Sequence, residues 1–315
     1  MELRQSSIIR FFALAVLCSM AWCMIASAET SLRGFPGKDA PLVVGYSSQV
    51  FYNVDPRDAI GLSKVWLHLA DSKLNNTRES NVVFYKDLYE IEKAQANAEV
   101  DILVLLPEEF ISLRDRSQLL SVLSTDYGRH FYDELLLLVR EDSGITRIGQ
   151  LRGKHLRLES GQKGTTPMQW LDSYLGARSL PEAQQFFGSI SAYPKVSQVI
   201  MPVFFGKADA CLASRSSFET MAELNPQLGR QLRILERSPG FATGVIAVRK
   251  DILNPARDAL VEILKDMHLD PKGRQLLTLF RINRLVSYKP EHLLSVEKVV
   301  RENRTRTESS ARRKL

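Results

Sequence analysis

From about residue 40 to residue 250 the chain alternates short apolar runs with amphipathic segments, and this alternation constrains the fold more than any other feature. Leu42–Tyr46, Val82–Tyr85 and Asp101–Leu106 have the length and branched character of buried strands. Residues 57–73 and 87–98 lie between them with helical spacing. Parallel neighbours in a sheet need a crossover of about a dozen residues or more, so strand–helix–strand units are expected. The plan repeats with strands at His155–Glu159, Gln185–Gly188 and Asp209–Ala213 and helices over 166–177 and 194–206. Each set places a small residue and an aspartate between a helix and a buried strand, in Ala98–Ile102 and again in Gly206–Ala210. The expectation is an α/β chain of two similar lobes, each an open, mostly parallel sheet flanked by helices.

Two further apolar runs, Leu135–Arg140 and Gly244–Arg249, bracket the second set. Both read as strands, and both end in arginine before an acidic or Lys-Asp turn. Two antiparallel crossings between lobes would look like this. The second lobe is then an insertion over 142–240, and the first lobe comprises 29–141 and 241–300. Helices are expected over 255–267, 271–280 and 290–302. The crossings, around 132–141 and 240–249, would act as hinges.

The termini stand apart from this pattern. Arg4 and Arg10 precede an apolar stretch from Phe11 to Ile25, and Ala26-Ser27-Ala28 offers a small-x-small cleavage site before Glu29. Residues 1–28 therefore read as a signal peptide, and the mature chain as an exported, periplasmic protein. The alternative, an uncleaved anchor, meets an apolar run shorter than the roughly 20 residues of a span. Of the cysteines, Cys18 and Cys23 lie in the leader, so Cys211 remains alone and no intrachain disulfide forms. The formal charge is +6, but Arg301, Arg304, Arg306, Arg312, Arg313 and Lys314 oppose only Glu302 and Glu308 at the end of the chain. The excess thus belongs to a polar tail, 301–315, expected to be disordered. A nucleic-acid binder would carry its basic face within the fold, so no nucleic-acid partner is expected.

Candidate chemistry gathers at strand ends. Gly164-Thr165-Thr166-Pro167 would open a helix with free N–H groups, hydroxyls and a glycine, which can clasp an anion or simply cap a surface helix. Tyr46 and Ser47 end the first strand, where ligands sit in open α/β sheets, and Tyr46 could equally be a packing residue. Asp209 could accept from a ligand or fasten a backbone turn, and its echo at Asp101 favours the turn. Lys195 is the best-placed candidate cation. Gly-x-Ser-x-Gly and His-Glu-x-x-His are both absent, and the histidines, His68, His130, His155, His268 and His292, lack ligand spacing. No catalytic residue, cofactor or metal is expected. Cys211 falls in a buried strand and reads as inert core.

The series Asp142-Ser143-Gly144-Ile145, Leu151-Arg152-Gly153-Lys154, Gly206-Lys207-Ala208-Asp209-Ala210, Leu235–Pro239 and Ile246–Asp251 resembles type II periplasmic binding proteins. Its order and spacing are similar to the PhnD-like branch, which binds phosphate, phosphite or phosphonate for ABC importers. The resemblance runs over about residues 40–300. It implies a two-lobed binding protein that closes on a small anionic ligand and presents it to an ABC permease in the inner membrane, without catalysis and as a monomer. The same fold can serve a membrane sensor instead, and the sequence encodes no choice between the two. Some positions depart from the family. Lys163-Gly164-Thr165-Thr166-Pro167 stands where a Ser-Thr-Ser-Gly run is usual, and Tyr193-Pro194-Lys195 where a histidine is often found. Leu106-Pro107-Glu108-Glu109-Phe110 replaces a Gly-Pro turn followed by an aromatic, and its carboxylates would repel a bare oxyanion or welcome a ligand amine.

Overall fold

The computed structural model describes residues 41–51, 55–74, 79–126, 131–159, 166–193, 195–252, 254–280 and 282–312. The expected signal peptide and the clasp residues Gly164 and Thr165 lie outside the described residues. The strands form two sheets. The first contains β1 (Val43–Ser47), β2 (Asn81–Tyr85), β3 (Ile102–Leu105), β4 (Leu119–Asp126), β10 (Val245–Arg249) and β11 (Arg284–Ser287), in the order β11-β4-β10-β3-β1-β2. The second contains β5 (Leu135–Arg140), β6 (His155–Glu159), β7 (Ser189–Tyr193), β8 (Ala210–Ser214) and β9 (Leu232–Arg237), in the order β7-β6-β8-β5-β9.

The sheets share one plan. In each, a parallel trio is followed by an antiparallel strand: β10 beside β3 in the first sheet, β5 beside β8 in the second. Those antiparallel strands are the runs LLLLVR and VIAVR, covered on both faces, which explains their unbroken apolar character. The strand Leu135–Arg140, expected to close the first lobe, pairs only within the second sheet. The chain therefore crosses before it, and returns after β9. The crossings pair with each other: Asp133 N–H donates to Phe241 O at 2.9 Å, and Phe241 N–H to Asp133 O at 2.8 Å.

Helices flank both sheets: α1 (Pro56–Leu74), α2 (Leu88–Ala96) and α3 (Pro107–Ser112) follow the first three strands, with α9 (Asn254–Lys265) and α10 (Pro271–Leu279) added after the return. The second lobe carries α4 (Thr166–Gly176), α5 (Ala183–Phe186), α6 (Val196–Phe204), α7 (Arg215–Leu224) and α8 (Pro226–Gln231). The expected strand Gln185–Gly188 is instead the end of α5 and the bend after it, where Phe186 and Phe187 are buried in the second core. The strand lies just beyond, at Ser189–Tyr193.

The expected disordered tail is also corrected. Helix α11 (Leu294–Arg312) continues through most of it. Val296, Val299 and Val300 recur at helical spacing and sink into the second core. Further along, Asn303 Nδ2 donates to Gln169 O at 2.7 Å and to Ser173 Oγ at 3.1 Å, and Arg306 donates to Asp172 O. The tail docks through polar contacts with α4, which leave no apolar periodicity for a sequence reading to detect. Leu293, just before the helix, is buried in a first-lobe core, so α11 ties that lobe to the other.

Candidate functional site

The cleft is built where strands end. Helix α3 follows β3, α4 follows the end of β6, and α7 follows β8, so three helix starts meet between the lobes. They border a cavity of about 260 Å³ whose lining includes Glu108, Thr125, Asp133, Thr166, Ser214 and Ser216. Among the described lining residues there is no lysine, arginine or histidine. The nearby Arg215 is committed to Glu134 and Glu219.

Resident carboxylates engage the second-lobe helix starts. Glu108 Oε1 accepts from the Thr166 N–H at 3.2 Å, across the cleft. Asp133, on the crossing segment, accepts from the Ser216 N–H at 3.2 Å and from its hydroxyl at 2.6 Å. Burial pushes the Glu108 carboxyl above its ordinary range, while hydrogen bonds from its own backbone and from Thr166 pull it back. Burial raises Glu109 as well, against hydrogen bonds from Ser47 and Leu106 and with a small push from Glu108. The Thr166 hydroxyl is buried and lacks a well-aligned hydrogen-bond partner, although it lies near enough to Glu108 to favour the ionised acid.

The expected site residues divide. Thr166 lines the cavity at the start of α4. Tyr46 lines it too, from within the first core, where its ring packs on Phe51 and Phe84. Burial raises its phenol. Ser47 sits beside the cleft with its hydroxyl engaged: it donates to Glu109 Oε1 at 2.5 Å and accepts from the Gln49 N–H at 3.1 Å. Glu109 also accepts from the Leu106 N–H at 3.0 Å, so it caps α3 while Glu108 faces the cavity. Lys195 is exposed and does not line the cavity. Asp209 lies at the opposite end of its sheet, where it accepts from the His155 N–H at 2.9 Å and pairs with Lys154. Cys211 is fully buried, and burial pushes its thiol far up.

The sequence reading missed Asp133, Thr125, Thr243, Ser214, Ser216 and Ser217. The serines were detectable, because Ala213-Ser214-Arg215-Ser216-Ser217 is a strand end running into a serine-capped helix, and Ser214 Oγ does accept from the Ser217 N–H at 3.2 Å. Asp133, Thr125 and Thr243 reach the cavity through the crossings and strand ends, with no local motif.

A family model described as "ABC transporter, phosphonate, periplasmic substrate-binding protein" matches residues 71–293. The chain belongs to that family. It is a periplasmic solute-binding protein of an ABC importer, from a family of transport proteins rather than enzymes. No curated protein matches it. Among solved structures it is similar to XAC2383 from Xanthomonas citri bound to chloride, at 16% identity and a TM-score of 0.64, covering 87% of this chain and 100% of that one. It is also similar to PhnD1 from Prochlorococcus marinus in complex with methylphosphonate, at 13% identity and 0.58, covering 84% and 98%. A binding-protein component of an ABC phosphonate transporter from Pseudomonas aeruginosa matches at 12% identity and 0.57, covering 82% and 86%. These likenesses confirm the two-lobed type II periplasmic binding fold. Among the described residues no group of three or more histidine, cysteine, aspartate or glutamate side chains is placed to hold a metal, and no helix is long and apolar enough to cross a membrane.

Proposed function

We propose that the protein captures an amine-bearing phosphonate between its lobes and delivers it to an inner-membrane ABC permease. It is exported by a signal peptide cleaved between Ala28 and Glu29 and works as a monomer. The reading rests on one observation, that Glu108 shares a cavity with the hydroxyls and helix starts of the second lobe. The ligand amine pairs with Glu108 and Asp133. Its oxyanion takes the hydroxyls of Thr166 and Ser214, with Gly164 and Thr165 completing the clasp. Lobe boundaries fall at the paired crossings on either side of Asp133 and Phe241, which serve as hinges.

Calorimetry with phosphate, methylphosphonate and 2-aminoethylphosphonate tests this. The amine-bearing ligand should bind tightest, and Glu108→Gln should narrow its advantage by about tenfold or more, the worth of a charged hydrogen bond. Equal affinity for all three, unchanged by Glu108→Gln, would replace the amine-bearing ligand with a simple oxyanion.

A further inference from the structure

The cavity has an arm that a small phosphonate does not need. From its mouth at Glu108 and Thr166 it runs into the first lobe, against helices α1, α9 and α10. There the walls are apolar: Val44, Trp66, Leu264, Leu276 and Phe280 line it, and no described charged side chain does so away from the mouth. The first four keep 3–4% of their surface accessible, although they belong to the core of the lobe. The matching strands of the second lobe behave differently. Leu156, Leu158 and Leu212 are 0–1% exposed, and none of them lines the cavity. The cavity therefore enters the first lobe and not the sheet face of the second.

Size and polarity indicate an occupant. An apolar void of about 150 Å³ already accepts a benzene ring and stays dry without it. The whole cavity, polar mouth and apolar arm together, measures about 260 Å³, and its charged groups are confined to the mouth. Water in the arm would find few hydrogen-bond partners, whereas an apolar group would recover the contacts the walls lack.

We infer that the ligand carries an apolar substituent, an alkyl chain or an aryl ring, which fills the first-lobe arm while its polar end stays at the mouth. This rests on the amine-bearing phosphonate reading for the polar end and adds the substrate class, apolar-substituted aminophosphonates. The arm then acts as the specificity pocket, favouring substituted ligands over the parent compounds.

A homologous series decides the matter. The full mature chain is titrated by calorimetry with aminomethylphosphonate and with 1-aminoalkylphosphonates of increasing chain length. A parallel series of plain alkylamines lacks the phosphonate. Each added methylene should tighten binding about fourfold until the arm is full, the equivalent of about 0.8 kcal/mol per buried methylene. In Leu264→Trp, which narrows the arm, the gain should drop below about twofold per methylene. If that variant does not fold, the series on the unaltered protein still decides. Binding of aminomethylphosphonate with no gain from the first methylenes would overturn the inference and leave the proposed function standing. Tight binding of long alkylamines without any binding of aminomethylphosphonate would support the apolar arm and overturn the phosphonate reading. Failure of both series to bind would overturn both.

Discussion

The lobes share a scaffold and differ in what they do with it. At the closed end of each sheet an aspartate fastens the first parallel strand to the third: Asp101 Oδ2 accepts from the Val43 N–H, and Asp209 Oδ2 from the His155 N–H, both at 2.9 Å. Beside each stands an arginine paired with an acid two residues on, Arg249 with Asp251 and Arg140 with Asp142. In the first lobe this cluster is buried, and Arg249 also reaches Asp101 at 3.2 Å. In the second it is open to solvent, and Asp209 pairs instead with Lys154. Mid-strand, the first lobe has Gly45 where the second has Arg157. A side chain at Gly45 would meet Tyr85 at 2.5 Å, whereas Arg157 lies over Tyr193 at 4.3 Å. At the cleft end the chemistry diverges further: the first lobe offers carboxylates, the second hydroxyls and helix starts. A repeated frame constrains one end of each sheet and leaves the other free to specialise.

The largest test of this comparison removes the fastening aspartates in turn. Asp101→Ala takes one of two carboxylates from the buried Arg249 and leaves the Val43 N–H without its acceptor, so it should cost about 2–4 kcal/mol. Asp209→Ala faces water and should cost about 1 kcal/mol. Urea denaturation measures both, and equal losses would erase the distinction between the lobes. Neither side chain lines the cavity, so affinity should hold in whichever variant folds.

A smaller effect is expected at mid-strand. Gly45→Ala forces a methyl group against Tyr85 and Val100 and should destabilise the protein by about 1–3 kcal/mol. Arg157→Ala, its second-lobe counterpart, loses a bond to Gln198 O and the contact with Tyr193, and should cost about 1 kcal/mol. Thermal melts that rank the pair the other way would show that the close approach at Gly45 is relieved cheaply.

Next comes the clasp. Thr165→Val with Thr166→Val should weaken ligand binding about tenfold or more while the fold persists. Unchanged affinity by calorimetry would move the oxyanion to the serines of α7.

The smallest effect is in pH. Glu108 has its carboxyl raised by burial, so it gains a proton as pH falls through that raised value. The protonated acid no longer pairs with an amine, and affinity for an amine-bearing ligand should fall severalfold as pH drops through that raised value. Glu108→Gln should flatten the profile. For stability the sign is opposite: the folded state prefers the protonated acid, so the contribution of Glu108 is present at low pH. It is lost as pH rises from the unfolded carboxyl value through the folded one. A profile that keeps its slope in Glu108→Gln would assign the titration to another group.

The sequence by itself determined the strand–helix alternation, the near-continuous apolar strands and the paired aspartates, because each is written in local periodicity or in residues adjacent along the chain. It did not reveal β4, whose serines interrupt the apolar pattern, or the docking of the basic tail, whose bonds go to backbone carbonyls and a serine hydroxyl of a distant helix. It placed Thr166 correctly at a helix start, but it grouped Lys195 and Asp209 with the site. Both belong to the same lobe, yet one lies outside the cavity and the other at the far end of the sheet. Only the tertiary structure decided which strand ends face the cleft, that Glu108 reaches across to Thr166 while Glu109 turns back to Ser47, and that a crossing segment delivers Asp133 to Ser216. Those contacts join residues 58 to 83 positions apart. No local spacing encodes them, because they join strand ends, helix starts and a crossing segment that are far apart along the chain and meet only in the folded protein.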